Sequence, residues 1–232
     1  MKRLGADKSY RDECGEYVCD GVKLLGEALR WGADIREVLW ADEPELELEG
    51  VRQYLAPREL LDYVSPLKNC PGVISSVGMR AWDREKPGRT LVLETLQDPG
   101  NVGTILRTAN ALNMDTVILT GSCADIYNPK AVRAAMGALF RQRVFRMTLP
   151  EMREYLTEYG MRLYGAALSE KCVDIRKLEL KNSAVAIGSE GRGLSSEFLS
   201  LCDGELIIPM NEQCESLNAA VAASIVMWEL TR

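Results

Sequence analysis

The strongest constraint on the fold is the alternation of strand-like and helix-like segments between residues 91 and 230. Short apolar runs such as LVLETL and SAVAIG are typical of buried strands, and segments with helical spacing of apolar residues separate them. This alternation predicts an α/β fold in which helices cover both faces of a mostly parallel sheet. Ligands of such sheets bind beyond the carboxyl ends of the strands, so the loops there are the first candidates for a site.

A polar segment at residues 83–89 (DREKPGR) separates this alternating region from the chain before it. The preceding residues contain a predicted amphipathic helix at 22–31 and a predicted strand at 35–40. A length of 232 residues is compatible with two domains. We therefore predict a small α/β domain at residues 1–84 and a larger one at 89–232.

Composition excludes several classes of protein. The net charge of −6 is unlike that of a histone-like polycation. The chain contains no histidine, which excludes histidine metal sites and Ser-His-Asp or Cys-His catalysis. Seven cysteines without a CxxC pair predict reduced, mostly buried thiols in a cytoplasmic protein. Neither an apolar run of about 18 residues nor an apolar N-terminal segment occurs, so no membrane span and no secretory signal are predicted.

The first loop of interest, QDPGNVG, lies between a predicted strand and a predicted helix. Its DPG sequence is typical of a turn, and Asn101 is positioned to cap the following helix. Arg107 interrupts the apolar stripe of that helix, which turn and capping chemistry does not explain. Arg107 is therefore either a functional cation or simply a surface or ion-paired arginine.

The second loop, GSEGRGLS, has three glycines within six positions, which is typical of close backbone approach. It matches neither a phosphate-binding GK[ST] loop nor the GxGxxG dinucleotide pattern. Glu190 in this loop would accept hydrogen bonds from a ligand or pair with Arg192. The alternative is a tight turn followed by a helix cap at Ser195 or Ser196.

The third loop ends in ESLN, where Ser216 or Asn218 would cap the last helix. Glutamate, serine and asparagine together provide more polar groups than a cap needs, so a ligand contact is the alternative. The following helix is rich in small apolar residues, which suit close packing either within the fold or across a dimer.

Residues 126–150 contain basic side chains and no acidic residue, which reverses the overall charge locally. Such a segment is either a solvated surface or a phosphate-binding one. The candidate RNA-binding residues are Lys130, Arg133, Arg141 and Arg143, and Arg146 belongs to the same basic run.

The three loops, in this order, resemble those of the SpoU/TrmH-type RNA 2′-O-ribose methyltransferases of the SPOUT superfamily. The resemblance is carried by DPGNVGTILRTAN, AVAIGSEGRGLS and IIPMNEQCESLNAAVAASI, and it covers residues 91–232. Residues 1–84 resemble more weakly the small RNA-binding domain that often precedes this catalytic domain. The resemblance implies a C-terminal trefoil knot, bound S-adenosylmethionine, and a homodimer whose active sites take residues from both chains.

The resemblance also implies roles for matching positions. The catalytic candidates are Arg107, Asn101, Glu190, Ser216 and Asn218. The candidates for contact with S-adenosylmethionine are Leu168, Ser169, Gly188, Ser189, Gly193, Ile208, Met210 and Leu217. No metal is expected, because a sulfonium methyl group is already electrophilic.

The sequence therefore predicts methyl transfer to a ribose 2′-hydroxyl, with ribosomal RNA favoured over transfer RNA as substrate. Arg107 is expected to act as an electrostatic clamp, and a role as base stays open. The alternatives are the same activity on transfer RNA, a non-catalytic RNA-binding module of ribosome assembly, and a nucleotide-dependent enzyme that uses GSEGRG to bind phosphate.

Overall fold

A computed structural model describes residues 1–44, 46, 48–67, 69–211 and 213–232. The chain forms two compact units, one of residues 1–81 and 125–141 and the other of residues 82–124 and 142–232. The change of unit after residue 81 lies close to the polar segment at 83–89. Residues 125–141, which lie inside the predicted second domain, group with the first unit instead.

Within the described residues, the first half of the chain contains α1 (Lys2–Ala6), α2 (Lys8–Cys14), β1 (Glu16–Asp20), α3 (Val22–Arg30), β2 (Ile35–Trp40), β3 (Arg52–Leu55), α4 (Arg58–Val64), β4 (Val73–Gly78), β5 (Thr90–Glu94) and α5 (Pro99–Ala111). It continues with β6 (Thr116–Thr120), α6 (Pro129–Ala135), β7 (Val144–Arg146), α7 (Leu149–Glu158), β8 (Arg162–Ala166), β9 (Val173–Asp174), β10 (Ser183–Ile187), α8 (Ser196–Ser200), β11 (Gly204–Ile207) and α9 (Ala219–Leu230). Short 3-10 helices lie at Ala138–Phe140 and Ile175–Lys177.

The first unit has a four-stranded sheet in the order β1-β4-β2-β3. Strand β4 pairs antiparallel with β1 and β2, and its first five residues are buried. Helix α3 buries Leu25 next to Val38 and Trp40, and Leu61 of α4 packs in a second cluster with Ile74. These two small clusters give the unit a core of its own.

The second unit has a seven-stranded sheet in the order β7-β6-β5-β10-β8-β11-β9, and every described pairing is parallel. Every residue of β5, β6 and β10 is buried, as expected for strands covered on both faces. The predicted mostly parallel α/β sheet is confirmed. The order places β10 between β5 and β8, so the loops after these three strands emerge side by side.

Helix capping differs from the sequence prediction at α5. Asp98 is the N-cap, and its carboxylate accepts a hydrogen bond from the backbone N–H of Asn101 at 2.9 Å. Pro99 occupies the first helical position, which favours a cap at the residue before it. The predicted cap at Asn101 is therefore wrong, and its side chain is available for other contacts. Ser195 caps α8, as one of the two predicted alternatives.

The cysteines match their prediction in part. All seven are free thiols, of which Cys19, Cys70 and Cys123 are buried and Cys14 and Cys214 are exposed. Within the part of the chain that the structure describes, no helix combines the length and the apolar character that crossing a membrane requires.

Candidate active site

The main candidate site is a pocket of about 650 Å³ at the carboxyl ends of β10, β8 and β11. These three strands are adjacent and parallel, so the segments that follow them meet at one edge of the sheet. This is the edge at which α/β sheets bind ligands. Another depression of similar volume, beside α7 and α8, contains none of the three loops identified in the sequence.

The pocket collects the residues that the sequence predicts to contact S-adenosylmethionine. All eight line it, and so do the catalytic candidates Glu190 and Ser216. The eight are Leu168 and Ser169 after β8, Gly188, Ser189 and Gly193 after β10, and Ile208, Met210 and Leu217 after β11.

The second loop folds back on itself to form one wall of this pocket. The backbone N–H of Ser189 donates to the carbonyl of Gly193 at 3.1 Å, and the N–H of Gly193 donates to the carbonyl of Ser189 at 2.9 Å. A Cβ atom added to Gly188 would overlap the backbone of Gly193 and Leu194. Glycine at position 188 is therefore required for the loop to close.

A chain of hydrogen bonds joins the three loops. The Asn101 amide donates to the Glu190 carboxylate at 2.7 Å, and the Asn218 amide donates to the Asn101 side-chain oxygen at 3.2 Å. The Asn218 side-chain oxygen also accepts from the backbone N–H of Ala220 at 2.9 Å, which caps α9. Three of the five catalytic candidates thus meet, and this network fixes the orientation of both amides.

Sequence reasoning missed Glu94, the last residue of β5. It is only 6% exposed. Its carboxylate accepts hydrogen bonds from the backbone N–H of Ser195 at 2.7 Å and from the Ser195 hydroxyl at 2.6 Å. Glu94 therefore fixes the point at which the second loop leads into α8. The sequence does mark Glu94 as unusual, because it is an acidic residue at the end of an otherwise apolar strand.

Replacing Glu94 with alanine is expected to lower the free energy of unfolding by about 1–3 kcal/mol, because a buried N–H and a hydroxyl lose their acceptor. Urea denaturation of the native chain and the variant measures this difference. Glu94→Gln serves as the matched control, since it retains one acceptor oxygen and similar volume and should lose less. Equal stability of native and alanine chains would contradict the role.

The pocket is rich in carboxylates. Among the described residues, Glu190, Glu205 and Glu215 line it together with a single cation, Arg192. Glu205 accepts a hydrogen bond from the hydroxyl of Ser169 at 2.6 Å, which holds the loop after β8. The excess of negative charge favours a ligand that carries positive charge.

The nearby Cys202 is not a candidate nucleophile. Burial, reinforced by Asp203, raises its pKa to about 12. A thiol of this kind stays protonated near neutral pH and reacts poorly. Its neighbour Asp203 has a lowered pKa because the Arg153 guanidinium donates two hydrogen bonds to it, each of 2.9 Å.

Arg107 lies apart from this network. It is exposed on α5 and lines a separate groove of about 440 Å³ with Ser224, Ile225 and Trp228 of α9. Six residues of helix rotate a side chain by about 240° and advance it by about 9 Å, so Arg107 and Asn101 leave different faces of α5. Among the described residues, no ion pair or hydrogen bond of the Arg107 side chain is found.

The basic residues of the sequence prediction differ in their surroundings. In the first unit, the Arg141 guanidinium donates to Glu27 at 2.7 Å and lies 4.8 Å from the centre of the Trp31 ring. Lys130 and Arg133 of the same unit are exposed.

The remaining two basic residues belong to the second unit. Arg143 donates to Glu85 at 2.9 Å, and Arg146 donates to the backbone carbonyls of Cys123 and Ala124. Both guanidinium groups therefore have partners within their own unit, and Arg143 would have to exchange its exposed partner Glu85 for a phosphate in order to bind RNA.

The parallel sheet and the pocket at its carboxyl edge place the chain among the α/β proteins whose strand-end loops form a site for a small ligand. Comparison with known proteins narrows this class. Residues 88–228 match the SpoU rRNA Methylase family. The chain belongs to this family.

Relatives agree with this assignment over almost the whole chain. The chain is 31% identical to the 23S rRNA (guanosine(2553)-2′-O)-methyltransferase RlmP of Bacillus subtilis, over 96% of this chain and 91% of the relative. It is 31% identical to a 23S rRNA (uridine(2479)-2′-O)-methyltransferase of Streptomyces viridochromogenes, over 99% and 87%. The crystal structure of the SpoU methyltransferase AviRb from that organism, in complex with the cofactor AdoMet, superposes with a TM-score of 0.88, 27% identity and coverage of 99% and 94%.

Proposed function

We propose that the protein transfers the methyl group of S-adenosylmethionine to a ribose 2′-hydroxyl of ribosomal RNA. Family membership and relatives named as 23S rRNA 2′-O-methyltransferases support the reaction and the class of RNA. The observation that carries the proposal is the pocket in which all eight cofactor-contact candidates meet.

The residues of the pocket fit S-adenosylmethionine. Leu168, Ile208, Met210 and Leu217 provide apolar surface for an adenine ring, while the glycine-rich second loop offers backbone groups for its polar edge. The excess of carboxylates suits a ligand with a sulfonium and an ammonium group. When bound, S-adenosylmethionine would supply an electrophilic methyl group, its sulfur leaving as a neutral thioether, while the 2′-hydroxyl proton passes to solvent or, if Arg107 acts as base, to Arg107.

The chain itself positions and activates the hydroxyl. Asn101, which Glu190 holds, and Asn218, which Asn101 holds, orient the ribose. Ser216 provides a further hydrogen-bonding group at the pocket. Alignment of this kind contributes several of the roughly 7–11 kcal/mol available from positioning. The Arg107 guanidinium stabilises the negative charge that develops on the 2′-oxygen and binds the adjacent phosphate.

We also propose a homodimer, because Arg107 does not share a pocket with the other catalytic candidates. Val221 and Trp228 on α9 are 49% and 60% exposed, which leaves an apolar face beside Arg107. Pairing of this face with a second copy would cover it and would bring Arg107 to the partner's cofactor site.

The trefoil knot stays a proposal, supported by the position of β10 between β5 and β8 and by the contacts of α9 with α5 and β10.

Residues 1–84 are proposed to bind RNA, together with Lys130, Arg133, Arg141 and Arg143. A ribosomal RNA substrate also implies a cytoplasmic location.

Transfer of labelled methyl from S-adenosylmethionine into RNA tests the function. The RNA comes from cells that lack this gene and is separated by size, with assembly intermediates of the ribosome tested beside naked RNA. Label at the 2′-oxygen of ribosomal RNA is expected, and Arg107→Ala serves as the inactive control. Label in transfer RNA would mean that transfer RNA, not ribosomal RNA, is the substrate. The absence of label from all these RNAs would contradict the proposed activity.

A further inference from the structure

A second polar pocket, of about 390 Å³, lies entirely within the first unit. It is formed where the turn between β1 and α3 meets α6 and the segment before β4. Its apolar walls include Leu24, Pro71, Val132 and Met136, and its polar residues include Asp20, Lys23 and Arg133. The volume lies in the range of small-molecule sites.

Asp20 is the distinctive group of this pocket. It is partly buried, and its Oδ1 atom accepts a hydrogen bond from the Ser65 hydroxyl at 2.8 Å. Burial raises the pKa of Asp20, and the Ser65 hydrogen bond and the charge of Arg133 oppose that rise. Among the described residues Asp20 has no ion pair, so the carboxylate has spare acceptor capacity for a ligand.

The two cations of the pocket, Lys23 and Arg133, are more exposed to solvent than the carboxylate of Asp20. Lys23 and Arg133 are exposed, whereas Leu24 and Val132 beside them are buried. A ligand that fits this arrangement has a flat apolar body, a pair of hydrogen-bond donors on one edge, and a negative group that remains near solvent. An unstacked nucleotide has all three features, and proteins read such bases by their Watson–Crick edges.

The carboxylate selects among the four bases. Guanine presents two neighbouring N–H donors, N1–H and N2–H, which match the two oxygens of a carboxylate. Adenine and cytosine each place an unprotonated ring nitrogen beside their amino group, and uracil places carbonyls on both sides of its N–H. A carboxylate repels those acceptors, so we expect a carboxylate in this position to bind guanine in preference to the other three bases.

We propose that this pocket binds an unpaired guanine of the RNA substrate, with Asp20 accepting hydrogen bonds from the base and Lys23 and Arg133 binding the phosphate. The identification of the ligand as RNA rests on the proposed function. The pocket would then determine which RNA is bound, separately from the methyl-transfer site.

The binding of nucleoside 5′-monophosphates to the full chain tests this proposal by isothermal titration. Guanosine monophosphate is expected to bind about tenfold more tightly than the adenosine, cytidine and uridine monophosphates, which corresponds to about 1.4 kcal/mol and is typical of a bidentate base contact. Asp20→Asn should remove this preference, because one acceptor becomes a donor. Arg133→Ala should weaken the binding of all four nucleotides by a similar factor.

The control is Arg52→Ala, which removes an exposed arginine on β3 of the same unit, outside the pocket. It should leave the four affinities unchanged. Asp20→Asn retains an acceptor for Ser65, and its unfolding temperature shows whether it is folded. Equal affinity of the native chain for all four nucleotides overturns the proposal without any variant, and unchanged preference in a folded Asp20→Asn chain overturns it as well.

Nucleotide binding requires neither S-adenosylmethionine nor turnover, so the two proposals fail separately. A guanine preference that depends on Asp20 supports the pocket even where no RNA is methylated. Methylation of RNA by a chain without base preference overturns the pocket and leaves the proposed function in place.

Discussion

Replacing Gly188 with alanine is expected to weaken the binding of S-adenosylmethionine by about 30- to 150-fold, which corresponds to about 2–3 kcal/mol. The added Cβ overlaps the backbone of Gly193 and Leu194, and backbone has no rotamer with which to move aside. The second loop must open to relieve the overlap. The backbone pairing of Ser189 with Gly193, and with it one wall of the pocket, is then lost.

Equilibrium dialysis with labelled S-adenosylmethionine measures this loss, and circular dichroism shows whether the sheet survives. Gly191→Ala is a matched control in the same loop, because a Cβ at position 191 meets no atom within 4 Å. The control should bind the cofactor as the native chain does. Equal binding by both variants would mean that closure of this loop does not shape the cofactor site.

Sequence patterns predicted the parallel sheet and its strand-end loops because each depends on short stretches of chain. A fully apolar run such as SAVAI indicates a buried strand wherever it occurs, and glycines directly after it indicate a sharp turn. The identity of the eight pocket residues came instead from the resemblance to a family. All eight lie in one pocket, and their contact with the cofactor stays a prediction.

Contacts between distant parts of the chain were not predictable in this way. Nothing local to Glu94 indicates that it accepts hydrogen bonds from Ser195, which is 101 residues away. Residues 125–141 follow a strand of the second unit, and yet they pack with the first. Asparagine is a good cap, which favours Asn101 in the sequence, whereas Asp98 before Pro99 satisfies the same requirement better.

Replacing Arg107 with alanine is expected to lower the rate of methyl transfer by about 10²- to 10³-fold, the cost of removing one electrostatic stabiliser of a developing oxyanion. The side chain is exposed and lies outside the cofactor pocket, so stability and cofactor affinity should not change. Single-turnover kinetics with RNA measures the rate of methyl transfer, equilibrium dialysis measures cofactor affinity, and thermal unfolding measures stability. Native rates in this variant would exclude Arg107 from the reaction.

The variant Arg107→Lys distinguishes a clamp from a base. A guanidinium group loses its proton only above about pH 12, whereas a lysine amine does so near pH 10.4. An electrostatic role predicts a reduced rate for lysine with an unchanged pH profile, since the charge remains. A role as base predicts that the lysine variant gains activity towards alkaline pH.

Mixing two variants tests whether Arg107 serves its own chain or its partner, at a concentration of S-adenosylmethionine that saturates the native site but lies well below the dissociation constant of Gly188→Ala, so that each variant alone is nearly inactive. In a dimer of one Arg107→Ala chain and one Gly188→Ala chain, the first retains the cofactor site and the second retains the arginine. If the arginine acts on the partner's site, each mixed dimer has one complete site, and equal mixing restores roughly a quarter of native activity. If it acts within its own chain, no site is complete and activity stays at the level of the separate variants, which would contradict an active site shared between two chains.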